Sequence, residues 1–417
     1  MPIQVEGGAP SASAETTLKV LWSGTHRSQT LDSTVQSALH LAPVMGITRV
    51  ADVTGLDAIG IPVVMVCRPN SRSVAVSQGK GIDLPSARAS GLMEAIELYH
   101  AETITLPLRL ASYEELRYRH NVVEPGTISH SIASRFHPGL RLLWIEGRDL
   151  LTEKTLLVPY EIVHTNYTLP PPDGYGCFNA SSNGLASGNH ILEAISHGLC
   201  EVVERDATTL WKLRGKERLE RGRIDLSSVN DGACQQLLAR FEAAEVGVAV
   251  WDITTEIGIP AFACFVLPWE ESELWYSPTV AAGFGCHPSR AVALARALTE
   301  AAQSRLTLIA GSRDDFGSEV YDPCLDEALM SAIHGESNSS EKRRFEEIPT
   351  WESETLQADV EWELQCLQRA GLEHVIVVDL TKPEFAIPVV RVVVPGLESM
   401  LAPDYLPGPR GRDVLKV

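Results

Sequence analysis

Three segments of the chain place acidic residues at helical spacing beside apolar ones. The clearest is the stretch 188–211, which predicts one long amphipathic helix. Wound at 100° per residue, its polar positions fall within an arc of about 80°. They are Glu193, His197, Glu201 and Glu204. Carboxylates on one helix face repel each other unless positive charge lies among them, so the pattern favours metal ions or arginines over the alternative, a solvated acidic face.

The same pattern recurs in two further predicted helices, at 85–103 and 289–308. Their cores and that of the first helix are GLMEAIE at 91–97, GLCEVVE at 198–204 and ALTEAAQ at 297–303. The new polar positions are Ser90, Glu94, Glu97, Arg296, Glu300 and Gln303. We therefore expect three helices aimed at one centre. Hard oxygen donors favour Mg²⁺ there over zinc or copper. A di-iron bundle needs Glu-x-x-His motifs on two helices, whereas these three helices contain one, at 97–100.

The rest of the chain alternates strand-like and helical stretches, which predicts a mixed α/β (α+β) fold in a single large domain. We expect a disordered lead over 1–18 and the domain over 19–401, with an exposed insertion at about 311–350. A Pro/Gly-rich tail would follow over 402–417. Predicted elements outside the three helices are a helix at 30–46, a hairpin with strands at 142–145 and 155–159, and strands at 48–53, 62–67, 247–254, 260–268 and 275–285. Residues 78–81, Gln-Gly-Lys-Gly, are expected to form an anion-binding turn, although the chain has no GxxxxGK[ST] motif.

The composition of the chain restricts the kinds of partner that it is expected to bind. The 417 residues carry a net charge of −19, which argues against nucleic acid or an anionic membrane as the main partner. No apolar run approaches the ~20 residues of a membrane span, and the start of the chain lacks the features of a signal peptide. The eight cysteines show no CxxC spacing, and reduced thiols in a cytoplasmic protein are expected. The basic run KLRGKERLERGR at 212–223 is interpreted as an exposed helix face.

Five blocks of the sequence resemble the YcaO family, which uses ATP to modify peptide backbone amides. The blocks are SARASGLMEAIELYHAE, SNGLASGNHILEAISHGLCEVVERDA, RALTEAAQSRL, GITRVADVTGLDAIGIPV and SQGKG. The last two are similar to members encoded beside a TfuA-like partner. The resemblance runs from about residue 19 to residue 410.

The resemblance implies ATP and Mg²⁺ held between glutamate-bearing helices in a fold unrelated to P-loop enzymes. Metal ligation is implied for Glu94, Glu97, Glu193, Glu201, Glu204 and Glu300. Nucleotide contacts are implied for Ser90, Asn189, Arg205, Arg296 and Gln303, with Lys80 and Arg27 as further phosphate contacts. Arg305 lies about 180° from Arg296 around its helix, so we expect Arg305 in a salt bridge or in packing. For His197 two roles stay open: contact with nucleotide or metal, or a hydrogen bond to Glu193 or Glu201.

The resemblance also implies the reaction: phosphorylation of an amide oxygen, then addition of a nucleophile. An amide carbonyl is a weak electrophile. Metal ions that neutralise phosphate charge and align the reacting groups are the usual way to activate it. The protein need only position these groups, so no side-chain nucleophile is assigned. The product would be a thioamide, an azoline or an amidine. The tail PGPRGRDVLKV lacks the PxPxP ending common in azoline-forming members, which favours a thioamide. Expected partners are a ribosomally made peptide or protein, a TfuA-like protein and a second copy of the chain in a homodimer. A non-catalytic scaffold is the alternative from another functional class.

Overall fold

The computed structural model describes residues 17–20, 24–268, 280–313, 342–399 and 405–416. Within these ranges the chain forms eight helices and fourteen strands. The helices are α1 Leu31–Leu41, α2 Leu84–Glu102, α3 Tyr113–Leu116, α4 Ile191–Leu213, α5 Gly232–Ala243, α6 Arg290–Ala310, α7 Leu356–Arg369 and α8 Pro409–Leu415. Residues 1–16 of the predicted lead and most of the predicted insertion at 311–350 lie outside the described residues, and so does the first part of the strand predicted at 275–285. The last two residues of the predicted disordered lead are ordered, because Leu18 forms a β-bridge with Thr355 and the Thr17 carbonyl accepts the Leu356 N–H at 3.0 Å.

The strands form four sheets. They are β1 Arg49–Asp52, β2 Val63–Cys67, β3 Val76–Lys80, β4 Leu108–Ser112, β5 Arg141–Asp149, β6 Thr155–Pro159, β7 Leu185–Ser187, β8 Ile224–Asp225, β9 Val246–Asp252, β10 Ala261–Pro268, β11 Ala281–Cys286, β12 Arg343–Arg344, β13 Ile376–Asp379 and β14 Val389–Val393. Two antiparallel three-stranded sheets have the orders β1-β2-β3 and β11-β10-β9. A six-stranded sheet has the order β4-β5-β13-β14-β7 with β6 on β5, and β8 pairs with β12. The predicted mixed fold is confirmed.

The long acidic helix differs at its start from the sequence prediction. α4 begins at Ile191, three residues after the predicted start at Gly188. Gly188 instead donates its backbone N–H to the Pro388 carbonyl at 3.1 Å, which continues the pairing between β7 and β14. His190 caps the helix, because its ring nitrogen accepts the Leu192 N–H at 3.2 Å. Asn189 therefore lies in the connection before α4.

Residues 78–81 also depart from the predicted anion-binding turn. Gln78, Gly79 and Lys80 are the last residues of β3, paired with Met65, Val64 and Val63 of β2. Their backbone groups serve the sheet ladder and are not gathered around an anion. Lys80 is nevertheless delivered to the centre of the molecule, because β3 packs along α2.

Glycines bring strands unusually close to the helices. A Cβ at Gly79 would lie 2.0 Å from the carbonyl oxygen of Ala87 and 2.1 Å from the amide nitrogen of Gly91 on α2. On β11, a Cβ at Gly283 would lie 2.2 Å from the carbonyl oxygen of Ala297 on α6. The backbones touch at both places, since only glycine leaves room for such an approach.

The tail, predicted to be Pro/Gly-rich, contains the helix α8 and is anchored by two buried acids. Glu398 accepts the backbone N–H groups of Gly408 at 2.9 Å and Gly411 at 2.7 Å. Arg410 forms two 2.9 Å hydrogen bonds to Asp206 of α4, which is fully buried. The described part of the tail is therefore fixed to the far end of α4 by charge-assisted hydrogen bonds.

Candidate functional site

A cavity of about 960 Å³ lies between α2, α4 and α6, and β3, β7 and β11 contribute to its wall. Twelve of the thirteen predicted site residues line it. They are Arg27, Lys80, Ser90, Glu94, Glu97, Glu193, Glu201, Glu204, Arg205, Arg296, Glu300 and Gln303. Asn189 is the exception. The sequence therefore identified side chains from three distant segments that meet around one space.

The small residue at the start of each repeated core explains how the three helices converge. Gly91 touches Gly79 of β3, and Ala297 touches Gly283 of β11. On α4 the equivalent is Gly198, where a Cβ would lie 2.6 Å from the Val392 side chain of β14. The glutamate three residues further on, close to one turn of helix, then faces the cavity. The same motif thus sets the close packing and, about 60° away around the helix, the direction of the glutamate.

Glu94 and Glu97 of α2 lie in the cavity wall, where Glu97 is buried and Glu94 is partly buried. Burial raises the pKa of Glu94 to about 7, although Lys80 opposes this shift. Burial likewise raises the pKa of Glu97 to about 8. One oxygen of Glu97 accepts the backbone N–H and the hydroxyl of Ser187 at 2.8 and 2.7 Å. Both groups would hold their charge more easily beside a bound cation.

Glu201 and Glu204 of α4 form the second carboxylate pair. Burial raises the pKa of both groups, to about 7 for Glu204, where Glu300 adds to the shift. Glu201 forms no ion pair within the described part of the chain, and the nearest ion-pair partner of Glu204 is Arg205, at 3.8 Å. Glu300 of α6 behaves differently, because an ion pair with Lys80 lowers its pKa below the ordinary value.

The acids suit a metal that arrives with a ligand of its own. Across the ranges that the structure describes, no three His, Cys, Asp or Glu side chains converge as a preformed metal cage. Four cavity carboxylates nevertheless have raised pKa values, because burial outweighs the lowering effect of nearby groups. Mg²⁺ commonly takes one or two carboxylates and completes its shell with water and phosphate oxygens. The donor set fits that mode of binding.

The cations of the cavity differ in how far they are already paired. Lys80 is bound to Glu300. Arg205 faces Glu204, Glu201 and Glu300, which together raise its pKa. Arg296 lines the cavity and forms no ion pair with any carboxylate in the described ranges. It is therefore the guanidinium most available to an anionic ligand.

Glu193 has a contact pattern that differs from the predicted metal role. Its carboxylate accepts the Ser28 backbone N–H at 3.0 Å and hydroxyl at 2.9 Å, the Asn189 amide at 3.1 Å, and Arg27 at 3.4 Å. Protein donors thus occupy both oxygens. These contacts fasten the segment around Arg27 to the start of α4, and they give no support to a metal contact at Glu193. Asn189 takes part in this positioning from outside the cavity and accepts from Thr34 at 2.8 Å.

Gln303, Arg305 and His197 were also given roles from the sequence, and the structure shows the contacts of each. Gln303 donates its amide to the Gln78 carbonyl at 2.5 Å and so ties α6 to β3. Arg305 points away from the cavity and pairs with Asp57 at 2.8 Å, which confirms the expected salt bridge. His197 lines the cavity without a hydrogen bond to Glu193 or Glu201, and burial lowers its pKa well below the usual value, so its ring is neutral.

Several cavity residues were not identified from the sequence. Ser187 donates hydrogen bonds to Glu97 but precedes the predicted helix at 188–211. In the sequence, only its position in the block SNGLASGNH pointed to it. His26 and His287 pack edge to face with ring centroids 4.7 Å apart, and they come from segments without a helical pattern. Lys212 was assigned to an exposed basic run, although its place at the end of α4 puts it in the cavity wall. Extending the helical period beyond Trp211 would have placed Lys212 on the side of the helix that faces the cavity.

The chain is similar to several known proteins. A family model described as YcaO cyclodehydratase, ATP- and Mg²⁺-binding, matches residues 78–398. An uncharacterized protein in the tfuA 3′ region of Rhizobium leguminosarum bv. trifolii is 38% identical over 370 residues, which are 87% of this chain and 86% of that protein.

Two solved structures share the fold. A heterocyclase in complex with substrate and cofactor has a TM-score of 0.72 at 25% identity and covers 92% of this chain. The match spans 54% of that longer chain, so the present chain has about half its length. YcaO from Methanopyrus kandleri bound with AMPPCP and Mg²⁺ has a TM-score of 0.71 at 23% identity, with coverage of 92% and 95%.

Proposed function

The chain belongs to the YcaO family, and from this premise we propose that it uses ATP and Mg²⁺ to activate a backbone amide of a ribosomally made peptide or protein for thioamide formation. The observation that carries the proposal is the set of buried carboxylates from three helices around one cavity, with Arg205, Arg296 and Lys80 among them. ATP and Mg²⁺ are the cofactors of the family. Phosphates with bound Mg²⁺ would bring an anion to Arg296, which has no ion pair within the described ranges, and a cation to the carboxylates.

The roles of the side chains follow from their contacts. Glu94, Glu97, Glu201 and Glu204 would hold Mg²⁺, and Glu201 is the least engaged with the protein. Arg296 and Arg205 would orient phosphate oxygens, while Lys80 keeps Glu300 ionised. Ser90 would contact the nucleotide from α2. When bound, Mg·ATP supplies the phosphoryl group that turns the amide oxygen into a leaving group. The protein's part is to position the groups and to keep charge in place in a site with little water.

Two observations support a thioamide as the product. The relative from Rhizobium leguminosarum is described by its place beside tfuA, and we propose a TfuA-like protein as the partner that helps to deliver sulfur. In addition, the tail is tied by Arg410 to Asp206 and by Gly408 and Gly411 to Glu398. None of these residues lines the main cavity. This supports a structural role for the tail in place of a catalytic one.

Azoline formation is the second candidate, because the matching family model is described as a cyclodehydratase. Amidine formation would follow the same activation with a different nucleophile. The homodimer and the cytoplasmic location stay predictions. Among the helices that the structure describes, none has the length and apolar character needed to cross a membrane.

Product mass distinguishes these outcomes. Cells that make the chain with its TfuA-like partner would be compared with cells that make the Glu201→Gln variant, and peptides from both would be analysed by mass spectrometry. We expect a polypeptide in which one oxygen is replaced by sulfur in the parent cells alone. Loss of one water would instead indicate an azoline or an intramolecular amidine, and fragmentation of the peptide would separate these two by the groups that are joined. If the Glu201→Gln chain supports the same product, the carboxylate site is not catalytic and the chain acts as a scaffold.

A further inference from the structure

Lys212, at the C-terminal end of α4, places a positive charge in the wall of the cavity. Its ammonium group lies 5.0 Å from the centre of the Phe284 ring, a cation–π contact. Phe284 in turn donates its backbone N–H to Glu300 at 3.2 Å. Lys212 is thus connected through one residue to the glutamate on α6.

Two guanidinium groups near Lys212, those of Arg205 and Arg218, carry the same sign of charge as its ammonium group. Burial lowers its pKa, and the nearby Arg205 and Arg218 lower it further. No carboxylate of the described chain forms an ion pair with it, whereas Lys80 and Arg27 of the same cavity each have an acidic partner. A half-buried ammonium group without a carboxylate partner is stabilised when an anion binds to it.

The position of Lys212 along α4 separates it from the carboxylate centre. It follows Glu204 by eight residues and Glu201 by eleven, which are rises of about 12 and 16 Å along the helix axis. The positions that would meet the phosphates, Glu201 and Glu204, therefore lie about two to three turns along α4 from Lys212. This separation leaves Lys212 available to an anion other than those phosphates.

The chain leaves the cavity at Lys212 and continues across the surface as a basic segment. Residues 212–223 contain six Lys or Arg and two Glu, in a protein whose net charge is −19. Arg214, Lys216 and Arg221 are exposed, and none of them forms an ion pair with a described acid. We name these three residues together with Lys212 the basic ramp. The ramp is continuous from the cavity wall to the surface.

We propose that the basic ramp binds an acidic stretch of the substrate polypeptide and guides the neighbouring backbone amide into the cavity. The proposal rests on the proposed function, because only an enzyme that acts on a polypeptide needs such a path. Lys212 is the innermost contact, and the exposed ramp residues attract and orient the chain outside. A positive surface on a strongly acidic protein selects acidic segments and rejects basic ones by the same charges. The ramp therefore sets which sequences around an amide are accepted.

The test uses short fluorescein-labelled peptides of alternating Glu and Gly, with Gln-Gly and Lys-Gly peptides of the same length as controls. Their binding to the full chain is measured by fluorescence anisotropy at low salt. The variant Arg214→Glu/Lys216→Glu/Arg221→Glu reverses the exposed ramp. The variant Arg49→Glu/Arg119→Glu/Lys154→Glu makes the same change of net charge at exposed positions elsewhere. Lys212→Met is measured separately, and AMPPCP binding with Mg²⁺ is measured on every preparation.

We expect the Glu-Gly peptide to bind the parent at least about tenfold more tightly than the Gln-Gly peptide, and salt to weaken that binding. The ramp variant and Lys212→Met should lose this preference, whereas the matched variant should keep most of it. Equal binding of both peptides to the parent, or equal weakening by both triple variants, overturns the proposal. Tighter binding of a single-stranded oligonucleotide than of the Glu-Gly peptide also overturns it, since the ramp would then be a nucleic-acid surface.

The outcomes separate this proposal from the proposed function. A parent chain that binds AMPPCP with Mg²⁺ but shows no preference for the acidic peptide refutes the ramp and leaves the enzyme intact. A parent chain that prefers the acidic peptide but binds no nucleotide refutes the ATP-dependent function and leaves a polypeptide-binding surface.

Discussion

Lys80, the last residue of β3, forms an ion pair with Glu300 of α6, which lies 220 residues later in the chain. The pair lowers the pKa of Glu300, whereas burial raises the pKa of Glu94, Glu97, Glu201 and Glu204 in the same cavity. The cavity therefore keeps one glutamate charged by internal pairing and leaves the others in need of a cation. This division underlies the assignment of the site.

A double-mutant cycle on this pair separates stability from binding. Lys80→Met removes the partner of a buried carboxylate and should cost about 2 kcal/mol of unfolding free energy. Glu300→Gln in the Lys80→Met background should restore at least half of that loss, because no unpaired charge remains. Lys80→Met should lose ATP turnover, and the added Glu300→Gln change should not restore it. The measurements are urea unfolding and phosphate release, and a strictly additive cycle would show that the pair does not contribute to stability.

Gly79 is required for the close approach of β3 to α2. Gly79→Ala would place a methyl group 2.0 Å from the Ala87 carbonyl oxygen, so α2 must shift and carry Glu94 with it. We expect a loss of about 1–3 kcal/mol of stability together with weaker nucleotide binding. Gly55→Ala is the control, since a Cβ there has no atom within 4 Å. Equal thermal melting temperatures for the two variants would show that the contact is not tight.

Stability of the ligand-free protein should fall as pH rises. The pKa values of Glu94 and Glu97 are raised to about 7 and 8, above those of the unfolded chain. Groups with raised folded-state pKa values contribute stability that is present below pH 4.5 and lost as pH rises to about 8. Calorimetry in EDTA between pH 6 and 8.5 should show this decline.

The variant Glu97→Gln provides the matched test of that decline. It should flatten the pH dependence and raise the stability at pH 8.5 on the order of 1 kcal/mol. The exposed Glu373→Gln should leave the curve unchanged. A parent protein whose melting temperature is constant over this range, or a Glu97→Gln curve with the parent's slope, would contradict the origin given for the shifts.

The tail should be a structural anchor. Arg410→Met leaves the fully buried Asp206 without its bidentate partner, and we expect a loss of about 3 kcal/mol. Lys416 and Asp413 form an exposed ion pair, in which the two side chains are 72% and 73% accessible. The control variant Lys416→Met breaks this pair and should change stability by less than about 0.5 kcal/mol. Denaturant unfolding compares the two. Similar losses would mean that the tail is not held by the Arg410–Asp206 contact.

The part of the site that lies on regular helices could be predicted from the sequence. Glu94, Glu201 and Glu300 each occupy the same place in a repeated core, and the 3.6-residue period sets their direction. The sequence also predicted correctly that Arg296 and Arg305 point in different directions, because the two positions lie on opposite sides of α6. Arg305 indeed pairs with Asp57, outside the cavity.

What depends on long-range pairing could not be predicted in this way. The helical pattern of α4 continues smoothly into Gly188 and Asn189, and only the hydrogen bond from Gly188 to Pro388 shows that the strand has not yet ended. The partners of Glu193 come from the loop around Ser28, 165 residues earlier. No local pattern encodes that contact, so a saturated carboxylate and a metal ligand look the same in the sequence.

Magnesium-dependent nucleotide binding tests the central claim most directly. Isothermal titration calorimetry with AMPPCP would compare the parent chain, Glu94→Gln, Glu201→Gln and the control Glu373→Gln, with circular dichroism to confirm folding. We predict that the parent and the control bind only when Mg²⁺ is present, and that each cavity variant loses more than about tenfold in affinity, since each removes a carboxylate assigned to the metal. Folded cavity variants that bind Mg·AMPPCP as tightly as the parent would contradict the assignment of the three-helix carboxylate site.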